Sequence, residues 1–193
     1  MAGPEAIADV GTTLVSLLTE GISDNATVAL ASPVDFDPDK VGLSLFLYDI
    51  AEDPTRRNDR KPVIGDTKEG DPLVLELSYL LTAHPSPDDM SHEKPVQAMD
   101  YHKELGKAMR IFQDNSIVSG SALAGSFGDD DRLHITFDGD ATEEIMDVWG
   151  SFQDTPYLPS VSYLVTPVII DSDEESPVTR VKQAQMKYHE EIE

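Results

Sequence analysis

The chain has 193 residues, with 14 Lys or Arg against 37 Asp or Glu, so its formal net charge is −23 with His neutral. A surface this acidic repels phosphate backbones and anionic lipid headgroups, because both are bound through clustered cations, and it therefore argues against nucleic acid and membranes as partners. The absence of Cys excludes disulfides, thiolate metal sites and Cys nucleophiles. The first residues lack a signal-peptide pattern and no apolar run approaches the ~20 residues of a membrane span, so we expect folding in a cytosol.

The acidic residues are spread over the whole chain, from Glu5 to Glu193, while 39% of the residues are hydrophobic. This combination is typical of a folded domain with an acidic surface, since disordered acidic tails lack apolar runs. Concentrated salt screens the self-repulsion of such a surface. We interpret the chain as a halophilic protein because the acidity is uniform and Lys is scarce. An ordinary acidic domain and a nucleic-acid mimic are the alternatives.

The first half of the chain predicts one helix and three strands. Apolar residues at helical spacing predict an amphipathic helix over residues 4–20. A short apolar stretch at 27–31 predicts a strand, and residues 41–50, which are apolar on both faces, predict a strand in the centre of a sheet. A long polar loop over 51–71 then leads to an alternating strand at 73–83.

The second half predicts two helices and two further strands. A helix over 96–114 is expected to bury Met99, Leu105, Ala108, Met109 and Phe112. The Gly-, Ser- and Asp-rich segment 119–131 is expected to be mobile. Residues 132–138 alternate as a strand that places Leu133, Ile135 and Phe137 on one face. Asp140 and Glu143 resemble a capping box that opens a helix, and residues 160–170 predict the last long strand.

A search for catalytic and metal-binding motifs finds none that is complete. The Gly-rich stretch at 120–128 matches neither a phosphate-binding loop nor a nucleophile elbow, and His92-Glu93 lacks the second His of a zinc motif. Asp35, Asp37 and Asp39 have the spacing of a calcium loop without its turn glycine, and 138–140 fails in the same way. We read both as solvated acidic loops and expect no metal, no cofactor and no catalytic residue.

One loop is locally cationic. Arg56, Arg57, Arg60 and Lys61 stand together inside the long polar loop of an otherwise anionic chain. A compact cationic patch is where another acidic protein docks, guided by complementary potential. The alternative is a solvated loop whose charges offset Asp53 and Asp59, because exposed ion pairs contribute only about 0–1 kcal/mol.

Several stretches together resemble the cap, or tail-terminator, proteins of contractile injection systems. The resemblance covers about residues 7–171, in the order and spacing of that family. The matching stretches are 45–48 (LFLY), 57–58 (RN), 72–83 (PLVLELSYLLTA), 105–110 (LGKAMR), 133–137 (LHITF), Trp149, and 155–163 (TPYLPSVSY).

The resemblance implies an α+β fold, with a mixed, mainly antiparallel sheet of about four to six strands flanked by three helices. It implies a single domain over residues 1–171, followed by a short arm or tail over 172–193, where larger relatives carry a further domain. It also implies a structural protein, not an enzyme. Such proteins form a ring, expected here to be a hexamer, on the distal end of the inner tube and sheath, and stop both from growing. The implied location is the cytoplasm during assembly and then a released extracellular particle.

Two segments are candidates for contacts in such an assembly. The loop cations Arg56, Arg57, Arg60 and Lys61 are expected to contact a neighbouring subunit or the tube. The tail cations Arg180, Lys182 and Lys187 indicate an arm that reaches a neighbour, or a frayed terminus. Four aromatic residues are expected to pack in the core or at its rim, namely Tyr79, Trp149, Tyr157 and Tyr163. A salt-dependent hydrolase and a calcium-binding module remain alternatives from other functional classes.

Overall fold

The computed structural model describes residues 3–22, 26–36, 42–53, 67–85, 94–152 and 155–177. The helices are α1 (Ala6–Gly21), α2 (Lys94–Asp114) and α3 (Thr142–Ser151), and a short 3-10 helix spans Gly120–Ala122. The strands are β1 (Thr27–Leu30), β2 (Gly42–Glu52), β3 (Thr67–Glu69), β4 (Leu73–His84), β5 (Ile117–Ser119), β6 (Arg132–Asp138), β7 (Ser160–Ile170) and β8 (Glu175–Pro177).

Six strands form one mixed sheet in the order β1-β2-β4-β7-β6-β5, and β3 pairs with β8 in a separate two-stranded sheet. The β1·β2 pair is parallel and the other pairs are antiparallel. Gly42 is opposite Thr27 in the parallel pair, where a Cβ would collide with the Thr27 carbonyl. These features confirm the predicted α+β fold with a mainly antiparallel sheet and three helices.

The main core lies between the sheet and the helices α1 and α2. On α1, Val10, Leu14 and Leu18 recur every fourth residue and are buried, as the helical spacing predicts. The sheet meets them with the largest side chains of β4, among which Tyr79 and Leu81 are fully buried. Burial of each such aliphatic side chain contributes about 1.5–3 kcal/mol, so this face fixes the shape of the domain.

The opposite face of the sheet carries a smaller core under α3. Ile145 and Trp149 of α3 pack on Leu80 of β4, with Phe46 and Tyr48 of β2 beside them. Hydrogen bonds to Ser hydroxyl groups of β7 connect this strand to β2 and to α3 on this face. Tyr48 Oη lies 2.9 Å from Ser162 Oγ, and Trp149 Nε1 donates to Ser160 Oγ at 3.2 Å.

Two expectations about helix faces and caps are wrong. Met99 is 60% exposed, because at about 100° per residue it lies about 120° around α2 from Leu105 and off the buried stripe. The capping box is also absent, since α3 starts at Thr142 with Ala141 in the cap position and no side-chain cap bond. Asp140 instead donates its backbone N–H to Asp138 Oδ1 at 3.1 Å.

One expectation about the strands also needs correction. β2 was expected at the centre of the sheet, but the centre is formed by β4 and β7, and β2 is buried only over its first four residues. Phe137 of β6 faces the same way as Leu133 and Ile135, as predicted, and it meets Tyr163 edge to face at the end of the strand, where it is 49% exposed.

The Gly-rich segment was expected to be mobile but is tied to α1 by hydrogen bonds. Ser126 donates to Asp9 Oδ2 from its backbone N–H at 2.8 Å and from its Oγ at 2.7 Å. Ala124 N–H donates to Thr13 Oγ1 at 3.0 Å. Gly125 between them has φ +72°, and a Cβ there would strike the Asp9 carboxylate. Gly125 and Ser126 therefore allow the segment to approach α1 closely.

Candidate interaction surface

The predicted cationic residues lie outside the described part of the chain. This holds for Arg56, Arg57, Arg60 and Lys61 and for Arg180, Lys182 and Lys187, so their roles stay predictions. The structure does show where their segments are attached. The loop leaves β2 at Asp53, whose N–H donates to the Val74 carbonyl at 2.9 Å and which is only 4% exposed. The loop rejoins the fold at β3.

The β3·β8 pair brings together the points at which the two cationic segments are attached. Thr67, which follows the loop cations, is the register partner of Pro177, the last described residue of the tail. Gly70 N–H donates to the Glu174 carbonyl at 2.6 Å and extends this pairing by one step. The same end of the sheet holds the start of β4 and the end of β7, where Leu73 is opposite Ile170. The points where both segments are attached therefore lie at one end of the sheet.

The edge of β2 next to this end is open in the described part of the chain. β1 pairs with β2 only as far as Leu45, and no described strand pairs with residues 46–51 on the side away from β4. About half of the main-chain polar groups of such a stretch point outward, because N–H and C=O groups alternate between the two sides of a strand. Ile50 is 48% exposed there. Open edges of this kind are templates for strand addition.

The four aromatic residues singled out in the sequence divide between core and surface. Tyr79, Trp149 and Tyr163 are buried, which confirms packing roles for them. Burial raises the pKa of Tyr163 to about 12 and that of Tyr79 further still, so both phenols stay neutral and serve packing. Tyr157 is 50% exposed, with its ring 5.3 Å from that of Trp149.

A buried Ser–His hydrogen bond is the described feature that most resembles a hydrolase site. Ser44 Oγ lies 2.8 Å from His84 Nε2, and the His84 ring stacks on Phe36 at 4.0 Å. Ser44 is fully buried and His84 is 7% exposed, so no substrate reaches the hydroxyl. Burial also lowers the pKa of His84 to about 4 and keeps the ring neutral. The pair joins β2 to β4 as part of the core.

Acidic residues do not converge on a metal position in the described residues. There, no group of three or more His, Asp or Glu side chains is arranged to hold an ion. Of the two acidic stretches with calcium-loop spacing, the 138–140 segment is described, and its Asp138 carboxylate accepts a bond from the backbone N–H of Asp140. Asp37 and Asp39 lie outside the described residues. A cleft of about 250 Å³ at the start of β6 is lined by Asp130, Asp131, Arg132 and His134 among others, and Asp131 is engaged by Gly128 N–H at 2.7 Å.

A protein-family model described as the Pvc16 N-terminal domain matches residues 9–183. The chain belongs to this family. The match includes all of the predicted loop cations and the tail residues Arg180 and Lys182. No curated protein matches the chain by sequence. No described helix combines the length and apolar character of a membrane span.

Two solved structures share the fold of this Pvc16 N-terminal domain. One is the sheath/tube terminator of the extracellular contractile injection system PVC in its extended state, with a TM-score of 0.62 and 16% identity over 100% of this chain. The other is the cap of the anti-feeding prophage, a tube-terminating cap, with a TM-score of 0.63 and 18% identity over 94% of this chain. The chain spans 66% and 61% of the length of those two proteins.

Proposed function

We propose that the protein is a structural cap of a contractile injection particle, which ends the inner tube and the sheath and stops their growth. The observation that supports this most directly is the family match over residues 9–183, together with the fold of two terminators from such particles. The rigid sheet with packed faces and a cluster of emerging segments at one end suits a protein whose work is docking.

The proposed partners are other copies of the chain, in a ring expected to be a hexamer, and the tube and sheath proteins of the particle. Nucleic acid and membranes are not expected as partners, because a net charge of −23 repels both. The protein is proposed to assemble in the cytoplasm and to leave it as part of the extracellular particle.

The proposed domain comprises residues 1–171, and residues 172–193 form the proposed arm. The β3·β8 pair is then the attachment of the arm to the domain. We also propose that the protein is not an enzyme. The inaccessible Ser44–His84 pair supports this, because a nucleophile must reach its substrate.

The role of the loop cations is tested by reversing Arg56, Arg57 and Arg60 to Glu. We expect incorporation into particles to fall at least about tenfold, since the reversal replaces attraction to acidic partners by repulsion. The measurement is the amount of tagged protein that copurifies with sheath and tube, normalised to expression. Circular dichroism of the purified variant should be unchanged.

A matched control makes the same change in charge elsewhere. Lys103, Arg110 and Arg132 are exposed on α2 and β6, and their reversal to Glu should leave incorporation near the wild-type level. Equal losses in both variants would show that net charge alone matters. Normal incorporation of the loop variant would show that the loop is only solvated.

A further inference from the structure

The open edge of β2 is held in shape by packing on both faces. Leu47 packs against the main core, while Phe46 and Tyr48 pack against the smaller core on the other face. The Tyr48 hydroxyl bonds to Ser162 at 2.9 Å. The edge is therefore a preformed surface, so little conformational entropy of β2 is lost when a strand adds to it.

The side chains along the edge define what an added strand must present. Ile50 is opposite Leu77 in the β2·β4 register and faces the same side of the sheet as the main core. Ala51 is opposite Glu76, and Asp49, two residues before Ala51, shares that other face with Glu76. A matching strand places an apolar residue beside Ile50 and cations at the two neighbouring positions. One cation lies beside Asp49, and the other lies beside Ala51, with Glu76 of β4 on the far side of that Ala.

The proposed arm contains this pattern. Residues 178–188 read VTRVKQAQMKY, in which Arg180 and Lys182 flank Val181, and they include no acidic residue. In an extended strand the two cations share one face and Val181 occupies the other. Val and Thr at the start of the segment also favour a strand. The segment therefore complements the edge in polarity, in apolar contact and in charge.

We propose that the arm of a second copy adds as an antiparallel strand to the open edge of β2, with Val181 beside Ile50, Lys182 beside Asp49, and Arg180 beside Ala51, across which it reaches Glu76. This inference rests on the proposed function, because it describes how the copies of a ring are joined. Subunits that each carry −23 repel one another, so their contact requires cations at the interface, and exchange of the arms supplies them. Val181 is the fourth residue after Pro177, which pairs with Thr67 of its own chain, so the segment spans roughly 13–14 Å up to Val181 and the neighbouring copy must lie against this end of the sheet.

The chain contains no Cys, so introduced thiols report the contact without background. The experiment mixes a tagged Ile50→Cys chain with an untagged Val181→Cys chain in molar KCl and oxidises the mixture. We expect a disulfide-linked heterodimer on a non-reducing gel. The matched control replaces Ile50→Cys by Ile117→Cys, an Ile that is 57% exposed on β5 at the opposite edge. The heterodimer yield of the control should be at least about fivefold lower.

A chain that carries both Ile50→Cys and Val181→Cys separates exchange between copies from docking within one copy. Exchange produces covalent dimers and higher multimers. A cross-linked monomer of altered mobility would show that the arm covers its own edge, and would overturn the inference. A heterodimer yield equal to that of the Ile117→Cys control would overturn it as well.

A charge exchange tests the electrostatic part of the contact. Lys182→Glu should lower the heterodimer yield several-fold, and Asp49→Lys in the partner chain should restore it. Asp49 is exposed, so this change leaves the core intact. Failure of Asp49→Lys to restore the yield would refute the predicted pairing.

Native mass spectrometry of the wild-type chain distinguishes failure of the arm exchange from failure of the ring. Rings that form while the Ile50–Val181 pair stays unlinked would refute the arm and leave the cap. A chain that stays monomeric from dilute to molar ammonium acetate would refute the ring, and the arm exchange with it.

Discussion

Replacing Asp9 by Ala is expected to release the Gly-rich segment from α1. The Asp9 carboxylate accepts two bonds from Ser126, at 2.8 and 2.7 Å, and it is an acidic residue in the first turn of the helix. A hydrogen bond to a charged group contributes about 1.5–3 kcal/mol, and water recovers part of this at a half-buried site. The helix-dipole contribution adds about 0.3–1 kcal/mol. We therefore expect the free energy of unfolding to fall by about 2–3 kcal/mol.

The assay is urea unfolding in molar KCl, followed by circular dichroism and by Trp149 fluorescence. The control is Asp129→Ala, because Asp129 is exposed and the change removes the same charge. Asp9→Asn should lie between the two, since its amide oxygen still accepts the Ser126 N–H. If Asp9→Ala unfolds within about 0.5 kcal/mol of the Asp129→Ala control, the anchoring argument is wrong.

Two further predictions concern salt and pH. The melting temperature should rise continuously from dilute to molar KCl. The reason is that added salt screens the acidic surface, because the Debye length shortens from about 10 Å at 0.1 M to about 3 Å at 1 M. A melting temperature that stays constant in differential scanning calorimetry would contradict the halophilic interpretation. The second prediction follows from the pKa of His84, which burial lowers from 6.5 to about 4. Between pH 6.5 and pH 4, His84 binds a proton in the unfolded chain but not in the folded chain. The free energy of unfolding should therefore fall by up to about 3 kcal/mol as the pH drops through this range, and this contribution should not fall further below about pH 4. In urea titrations at several pH values, His84→Gln should remove this pH-dependent part of the free energy of unfolding. The control His134→Gln, at an exposed His, should retain it. Equal pH profiles for wild type and His84→Gln would show that His84 is not its source.

The positions of the helices and long strands could be predicted from the sequence because their apolar spacing matches a single period. The predicted helix at 4–20 is observed at Ala6–Gly21 and the predicted strand at 73–83 at Leu73–His84. Met99 shows the limit of this reasoning. It was assigned to the buried face because it is apolar, although its angular position on α2 places it off the stripe that contains Leu105.

Contacts between distant parts of the chain could not be predicted from local pattern. The composition of segment 119–131 indicated mobility, and its anchor is Asp9, more than a hundred residues earlier. The small strands β3 and β8 were missed for the same reason. Each has three residues, too few for a period to show, and each exists through its pairing with the other.

The candidate surface, too, could be predicted only in part from the sequence. The loop cations and the tail cations could be found from sequence, since cations stand out in a chain with 37 acidic residues. Their attachment to one end of the subunit depends on the Thr67–Pro177 register, which local sequence does not encode. The open edge of β2 was likewise hidden, because a strand of apolar residues on both faces indicated a central position. The sheet order shows that β1 covers only four of its residues.

The most direct measurement of the capping role is the length distribution of particles made with and without this protein. Tube and sheath proteins are produced together with the baseplate, and the lengths are read by electron microscopy. The account predicts a narrow distribution with density at the distal end when the protein is present, and broad or overlong particles with bare ends when it is absent. An identical, narrow distribution under both conditions would contradict it.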